Sequence, residues 1–176
     1  MATIILVEGE TEQAFWKVFY QGQTKKINLW DCKEKDINNI ALSVKNNDEL
    51  IIIFDTDVTD NYARFLSNLK SIRQKISGNR VFLLQQNKNF EDELCKACNC
   101  KQDKLNQHFN HARSVGKFKS EFIEHFKNKK LREKLEELSI DLGKMWVAEL
   151  IECLNLEEVK KIKIDGQHKK IKALKR

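Results

Sequence analysis

Leu50-Ile51-Ile52-Ile53-Phe54-Asp55-Thr56-Asp57 is the stretch from which the fold of this chain is read. Five consecutive apolar residues, rich in β-branching, are the pattern of a parallel strand covered on both faces; a strand with one wet face would alternate. The run stops at two aspartates separated by one threonine. Beyond a polar loop, Phe65, Leu66, Leu69, Ile72 and Ile76 recur at helical spacing as far as Ser77-Gly78, which predicts a helix. Arg80 to Leu84 reads as the next strand and leads through the polar Gln85 to Asn89 into the acidic segment Phe90-Glu91-Asp92-Glu93-Leu94.

Toward the N-terminus the same alternation appears. Thr3 to Val7 is a short apolar run that breaks at Glu8-Gly9, as a buried strand entering a loop does. Ala14, Phe15, Val18 and Phe19 then fall on one helical face, and the helix is expected to start at Thr11 with its hydroxyl as the cap. A weaker strand is expected over Ile27 to Trp30, and a helix from near Asp36. The order βαβαβαβ through about Leu94 predicts an α/β fold: a Rossmann-like four-stranded parallel sheet with right-handed crossovers and helices on both faces.

The second half reads as helical. Asn106 to Ala112, Lys117 to Lys127, Leu131 to Leu138 and Lys144 to Leu154 show helical periodicity, with Gly116 and Gly143 as breaks. There is no proline, no low-complexity linker and no internal repeat. The expected organisation is an α/β core over residues 1–98 with a helical C-terminal extension over residues 99–176 packed on it, in one compact domain. A length of 176 residues suits one such core.

Composition narrows the function classes. With 41% hydrophobic and 33% charged residues, no apolar run approaches the roughly 18–20 residues of a membrane span, and the start of the chain lacks the features of a secretory signal. A cytoplasmic protein without a membrane partner is expected. Cys32, Cys95, Cys98, Cys100 and Cys153 are then reduced thiols, since they are odd in number and no export signal accompanies them. The formal net charge of +6 suits a polyanionic partner, because phosphate contacts by Lys and Arg release counterions. Lys169, Lys170, Lys172, Lys175 and Arg176 crowd the last eight residues, as a nucleic-acid contact or as a frayed tail.

The candidate site follows from the strand ends. Ligands of open α/β sheets bind beyond the carboxyl ends of the strands, and three of the four expected strands lead into acids. These are Glu8, the pair Asp55 and Asp57, and the Glu91-Asp92-Glu93 cluster. Carboxylates and water are the ligands of a hard octahedral ion such as Mg²⁺ or Mn²⁺.

On these residues, Ile5-Leu6-Val7-Glu8-Gly9-Glu10-Thr11-Glu12 followed by Ile51-Ile52-Ile53-Phe54-Asp55-Thr56-Asp57, the chain resembles the Toprim superfamily. The Val-Glu-Gly-x-Thr-Glu form and the Asn89-Phe90-Glu91-Asp92-Glu93-Leu94 segment are most similar to compact Toprim proteins of bacterial defence systems, the RloB-like and OLD-nuclease-like groups. The resemblance implies a Toprim-like fold and a metal-dependent nuclease that hydrolyses phosphodiester bonds in DNA or RNA as an antiviral defence effector. It implies that Asp55 and Asp57 coordinate Mg²⁺ (or Mn²⁺), that Glu8 is a further ligand or the general acid/base, and that Glu91 completes a second metal position. It also places Gly9 and Glu12 beside the substrate, Gly9 because a residue without Cβ lets the backbone turn and a phosphate approach. Lys117 and Lys119, at the start of an expected helix, either contact a phosphate backbone or form a solvated face. The Gly-rich phosphate loop of ATPases is absent from the sequence, so an ATP-driven system would need a partner ATPase.

Other readings attach to the same residues. Asp55-Thr56-Asp57-Val58-Thr59 also fits the nucleophile loop of haloacid-dehalogenase-like phosphatases, with Asp55 attacking phosphorus, although that loop normally follows a first strand. A Toprim-like module that binds nucleic acid or a partner without cleaving is a further alternative. Cys95-x-x-Cys98-x-Cys100 with His108 and His111 downstream has zinc-ligand chemistry, or is the buried face of an ordinary helix. Trp16, Trp30 and Trp146 have apolar neighbours and read as core.

Overall fold

In the computed structural model, which describes residues 2–57, 59–76, 80–86, 88–110 and 114–147, every residue from Leu50 to Phe54 is buried. Successive side chains go to opposite faces. Ile51 and Ile53 join one apolar layer, while Leu50, Ile52 and Phe54 join the other. An unbroken apolar run thus arises from burial on both sides of a sheet.

That sheet has four strands, β1 (Thr3–Val7), β2 (Gln23–Lys26), β3 (Glu49–Phe54) and β4 (Val81–Gln85), all parallel, in the order β2-β1-β3-β4. The strands are linked by α1 (Glu10–Phe19), α2 (Glu34–Ser43) and α3 (Tyr62–Lys75). Helices α4 (Phe90–Ala97), α5 (Gln102–His108), α6 (Val115–Lys127) and α7 (Leu131–Glu137) follow, and then a 3₁₀ turn at Leu142–Lys144. Residues of α2 and α3 fill one layer with Ile37, Ile40, Phe65, Leu69 and Ile72. The other layer holds α1 together with α4 to α7, through residues such as Phe15, Phe90, Phe109, Phe122 and Leu135. The α/β architecture is the one expected. Strand order reverses between β1 and β3, which are neighbours, and this reversal places a crevice at their carboxyl ends.

Several boundaries differ from the sequence expectation. The second strand is Gln23–Lys26 and not Ile27 to Trp30. At a sheet edge, backbone pairing to β1 suffices and no apolar run is required; Leu29 and Trp30 are buried as a packing loop beyond the strand. Gly22, at φ +114°, makes the turn into β2, a conformation that side-chain-bearing residues rarely adopt. Helix α1 begins at Glu10 with Gly9 as its cap, and the Thr11 hydroxyl donates to Glu12 Oε2 at 2.9 Å instead of capping. Gly116 does not break a helix; it is the second residue of α6, whose first turn is capped by Ser114 Oγ accepting from the Lys117 N–H at 3.2 Å. The helix expected from Asn106 begins earlier, at Gln102. Lys144 belongs to the 3₁₀ turn and Trp146 has φ +55°, while residues 148–154 of that expected helix and the basic tail lie outside the described residues.

The cysteine-rich segment closes α4. Asn99 takes φ +48°, and the Cys100 N–H donates to the Cys95 carbonyl at 2.9 Å, six residues spanning the helix end. This is a Schellman closure, whose usual apolar contact joins the positions that Cys95 and Cys100 occupy here. Burial pushes the Cys95 and Cys98 thiols up to about 12, so both are protonated near neutral pH. His108 is engaged elsewhere, with its Nε2 2.7 Å from the Lys134 carbonyl and 3.2 Å from Glu137; His111 and Cys153 lie outside the described residues.

Candidate functional site

Glu8 leaves the end of β1 and Asp55 the end of β3, so the reversal of strand order sets them side by side. The Asp55 backbone N–H donates to Glu8 Oε1 at 3.2 Å. Asp57 is exposed and lines the same cleft of about 240 Å³, with Trp30, Asp31, Asp60 and Asn61 opposite. The three acids singled out in the sequence therefore share one concavity. Among the described residues no three His, Cys, Asp or Glu side chains are gathered closely enough to cage an ion as they stand.

The loop that carries Asp55 is fixed from both sides. The Trp30 indole N–H donates to the Asp55 carbonyl at 3.0 Å, and its ring is stacked on Phe65 with centroids 4.3 Å apart. On the β4 side, the Thr56 N–H donates to the Lys88 carbonyl at 2.6 Å, and the Thr56 hydroxyl donates to the Gln86 carbonyl at 3.2 Å. Sequence reading treated Trp30 as core only. Its burial is real, but the N–H at its edge makes it a support for the site, which only a folded neighbour at Asp55 reveals. Asp31, Asp60 and Asn61 were also missed, because isolated polar residues in loops carry no periodic signal.

Burial dominates the electrostatics. It raises the Glu8 carboxyl to about 8 against the lowering effect of the Asp55 N–H, with the charges of Glu12, Asp57 and Asp31 adding to the rise. Burial likewise raises Asp55 to about 9, reinforced by Glu8, Glu12, Asp57 and Glu91. Asp55 Oδ1 is buried and has no hydrogen-bond partner among the described residues. A crowded set of acids with one orphaned buried oxygen fits a divalent cation, which would supply the missing positive charge and the missing contact.

Glu12 and Glu91 do not line that cleft, but the charges of both act on Asp55. Glu12 is 6% exposed and burial raises its carboxyl. An added Cβ at Gly9 would stand 2.5 Å from Glu12 Oε2, while Gly9 itself has ordinary extended backbone at φ −126°. Gly9 therefore serves less to make a sharp turn than to leave room for the Glu12 carboxylate, a correction to the reason given from sequence. Glu91 is 4% exposed in the first turn of α4, which Asn89 caps by accepting from the Asp92 N–H at 3.0 Å. Lys119 Nζ lies 3.4 Å from Glu91 Oε1, and Glu91 acts electrostatically on both Asp55 and Glu12.

Of the two lysines, Lys119 alone reaches these acids. It lines a groove of about 560 Å³ between the start of α1 at Gly9 and the α6 residues Ile123 and Lys127. Lys117 is exposed and pairs with Glu121 at 2.8 Å, one turn along its own helix. The lining of the acidic cleft contains no lysine among the described residues, a residue that the haloacid-dehalogenase reading asks for. No helix among the described residues is long and apolar enough to cross a membrane. Neither a family model, nor a curated protein, nor a solved structure matches the chain.

Proposed function

We propose that this chain is a Toprim-like, Mg²⁺-dependent nuclease acting on phosphodiester bonds of DNA or RNA, with the antiviral defence role that its sequence resemblance implies. One observation carries the reading: Glu8 and Asp55, from the two strands at which sheet order reverses, meet in one cleft with Asp57, and a buried oxygen of Asp55 has no hydrogen-bond partner among the described residues. Asp55 and Asp57 are the residues to hold Mg²⁺ or Mn²⁺, with Glu91 as the candidate for a second position. A bound divalent ion supplies charge neutralisation on a phosphodiester and a more acidic water.

The chain's own groups have separable tasks. Trp30 and Thr56 keep the Asp55 loop in place, so that its carboxylate need not be ordered at each turnover. Glu8, raised to about 8 in the cation-free protein, holds a proton near neutral pH and is suited to pass one to or from an oxygen of the substrate. Lys119 is placed to balance Glu91 and to face a phosphate entering along the groove at Gly9. The net charge of +6 favours a polyanionic substrate in general.

Labelled single- and double-stranded DNA and RNA, incubated with the purified chain and Mg²⁺ or Mn²⁺, test the proposal. Metal-dependent cleavage by the wild type is expected, with a loss of at least about 100-fold in Glu8→Ala and in Asp55→Ala. Binding of nucleic acid with no metal-dependent cleavage would instead favour a non-catalytic module.

A further inference from the structure

Gln86 follows β4 at the carboxyl edge of the sheet and is 0% exposed. Neither its Oε1 nor its Nε2 has a hydrogen-bond partner among the described residues. A primary amide carries two donors and two acceptor lone pairs, and buried polar groups in folded proteins are met by protein, by ordered water or by an ion. The amide is therefore open to a water or an ion.

The sheet register locates it. Strands β3 and β4 pair Phe54 with Gln85, and the Gln86 N–H donates to the Phe54 carbonyl at 3.0 Å, so the ladder runs on to Asp55 beside Gln86. Partners in a parallel ladder present their side chains to the same face. Ile53 and Leu84 belong to the layer under α1 and α4, and Phe54 to the opposite layer, so Asp55 and Gln86 both fall on the α1 and α4 side. Asp55 Oδ1 is likewise buried and without a hydrogen-bond partner among the described residues. Two buried polar groups without partners among the described residues thus occupy matching register positions just past β3 and β4.

We infer that Gln86 is a positioning residue of the cation centre, its buried amide holding a water of a hydrated divalent ion against the Asp55 carboxylate. The inference rests on the reading of Asp55 and Asp57 as cation ligands. Mg²⁺ dehydrates reluctantly and usually keeps several waters while binding one or two carboxylates, so hydrogen-bonding groups around the carboxylate help to fix it. An amide does this without adding another negative charge to a site already crowded by Glu8, Glu12, Asp57 and Glu91. Groups that orient ligands in this way typically change metal affinity 10–100-fold when removed.

The test is Mn²⁺ titration followed by the spin-resonance signal of the free ion, on the wild type, Asp55→Ala, Gln86→Leu and Gln86→Met, with melting curves in chelator and in Mn²⁺. Both Gln86 variants are expected to bind Mn²⁺ about tenfold more weakly. Their melting temperatures in chelator should match or exceed that of the wild type, because an unpaired buried amide has been replaced by an apolar side chain of similar size. Mn²⁺ affinity equal to wild type in either variant overturns the inference. So does a melting temperature that falls equally in chelator and in Mn²⁺, which would make the amide structural. A wild type that binds no Mn²⁺ removes the cation reading itself, whereas binding lost in Asp55→Ala and untouched at Gln86 removes only this inference.

Discussion

Asp55 shows at the scale of one residue how a site is paid for in stability. Its carboxyl is raised from 3.8 to about 9, and that of Glu8 from 4.5 to about 8, chiefly because burial disfavours their charged forms. In the cation-free protein the folded state therefore keeps protons that the unfolded chain releases. Stability from these two groups is complete below about pH 4 and declines as pH rises through the folded values near 8 and 9. Thermal unfolding in chelator should show that decline between pH 5 and 9, and Mg²⁺ should flatten it, because a cation replaces the protons. Asp55→Asn should raise the chelator melting temperature at pH 8 by roughly 2–4 °C and abolish the Mg²⁺ effect. A variant as pH-sensitive as the wild type would mean that Asp55 is not the origin of the decline.

At the scale of elements, the contact of α7 with α1 illustrates how the helical half is fastened to the sheet. Arg132 on α7 donates to the Val18 carbonyl at 2.6 Å, near the end of α1, and its guanidinium lies 4.7 Å from the centroid of the Phe19 ring. A last-turn carbonyl of a helix is a natural acceptor for a cation, and the planar guanidinium satisfies acceptor and ring together. Arg132→Ala should cost about 1–2 kcal/mol, roughly 3–6 °C in melting temperature, and Arg132→Lys should recover little of it because an ammonium group cannot lie flat on the ring. Calorimetry on the two variants decides this, and full recovery by lysine would show that charge alone matters. Helix α1 in turn starts at Glu10, two residues past Glu8, so this clamp fastens the element that follows the acidic cleft in sequence.

For the whole molecule, the layer beneath α1 is shared. Phe90 packs edge-on to Phe122 at 5.7 Å, the Trp146 ring lies 5.7 Å from that of Trp16, and the Trp146 backbone N–H donates to the buried Glu93 carboxylate at 2.9 Å. Residues beyond position 98 thus supply much of the cover for the sheet. A fragment of residues 1–98 should bind hydrophobic dye and melt without a cooperative transition, while the full chain unfolds in one step by circular dichroism and fluorescence alike. Sharp near-ultraviolet dichroism and a cooperative melt for the fragment would show that the first half is self-sufficient.

Sequence alone determined the alternation of strands and helices and the acids that end β1 and β3, because burial on both faces forces unbroken apolar runs and a break in such a run marks a strand end. It also marked the Gly9 and Glu12 neighbourhood, though with a different reason for the glycine. Tertiary structure decided the rest. The edge strand at Gln23–Lys26 is made by backbone pairing and leaves little trace in side-chain type. The convergence of Glu8 with Asp55 depends on which strands lie next to each other, the support from Trp30 depends on a partner 25 positions away, at Asp55, and the position of Gln86 beside Asp55 depends on the pairing of β3 with β4. Periodicity encodes which side a residue faces; it does not encode what waits there, because that is set by contacts between segments that are distant along the chain.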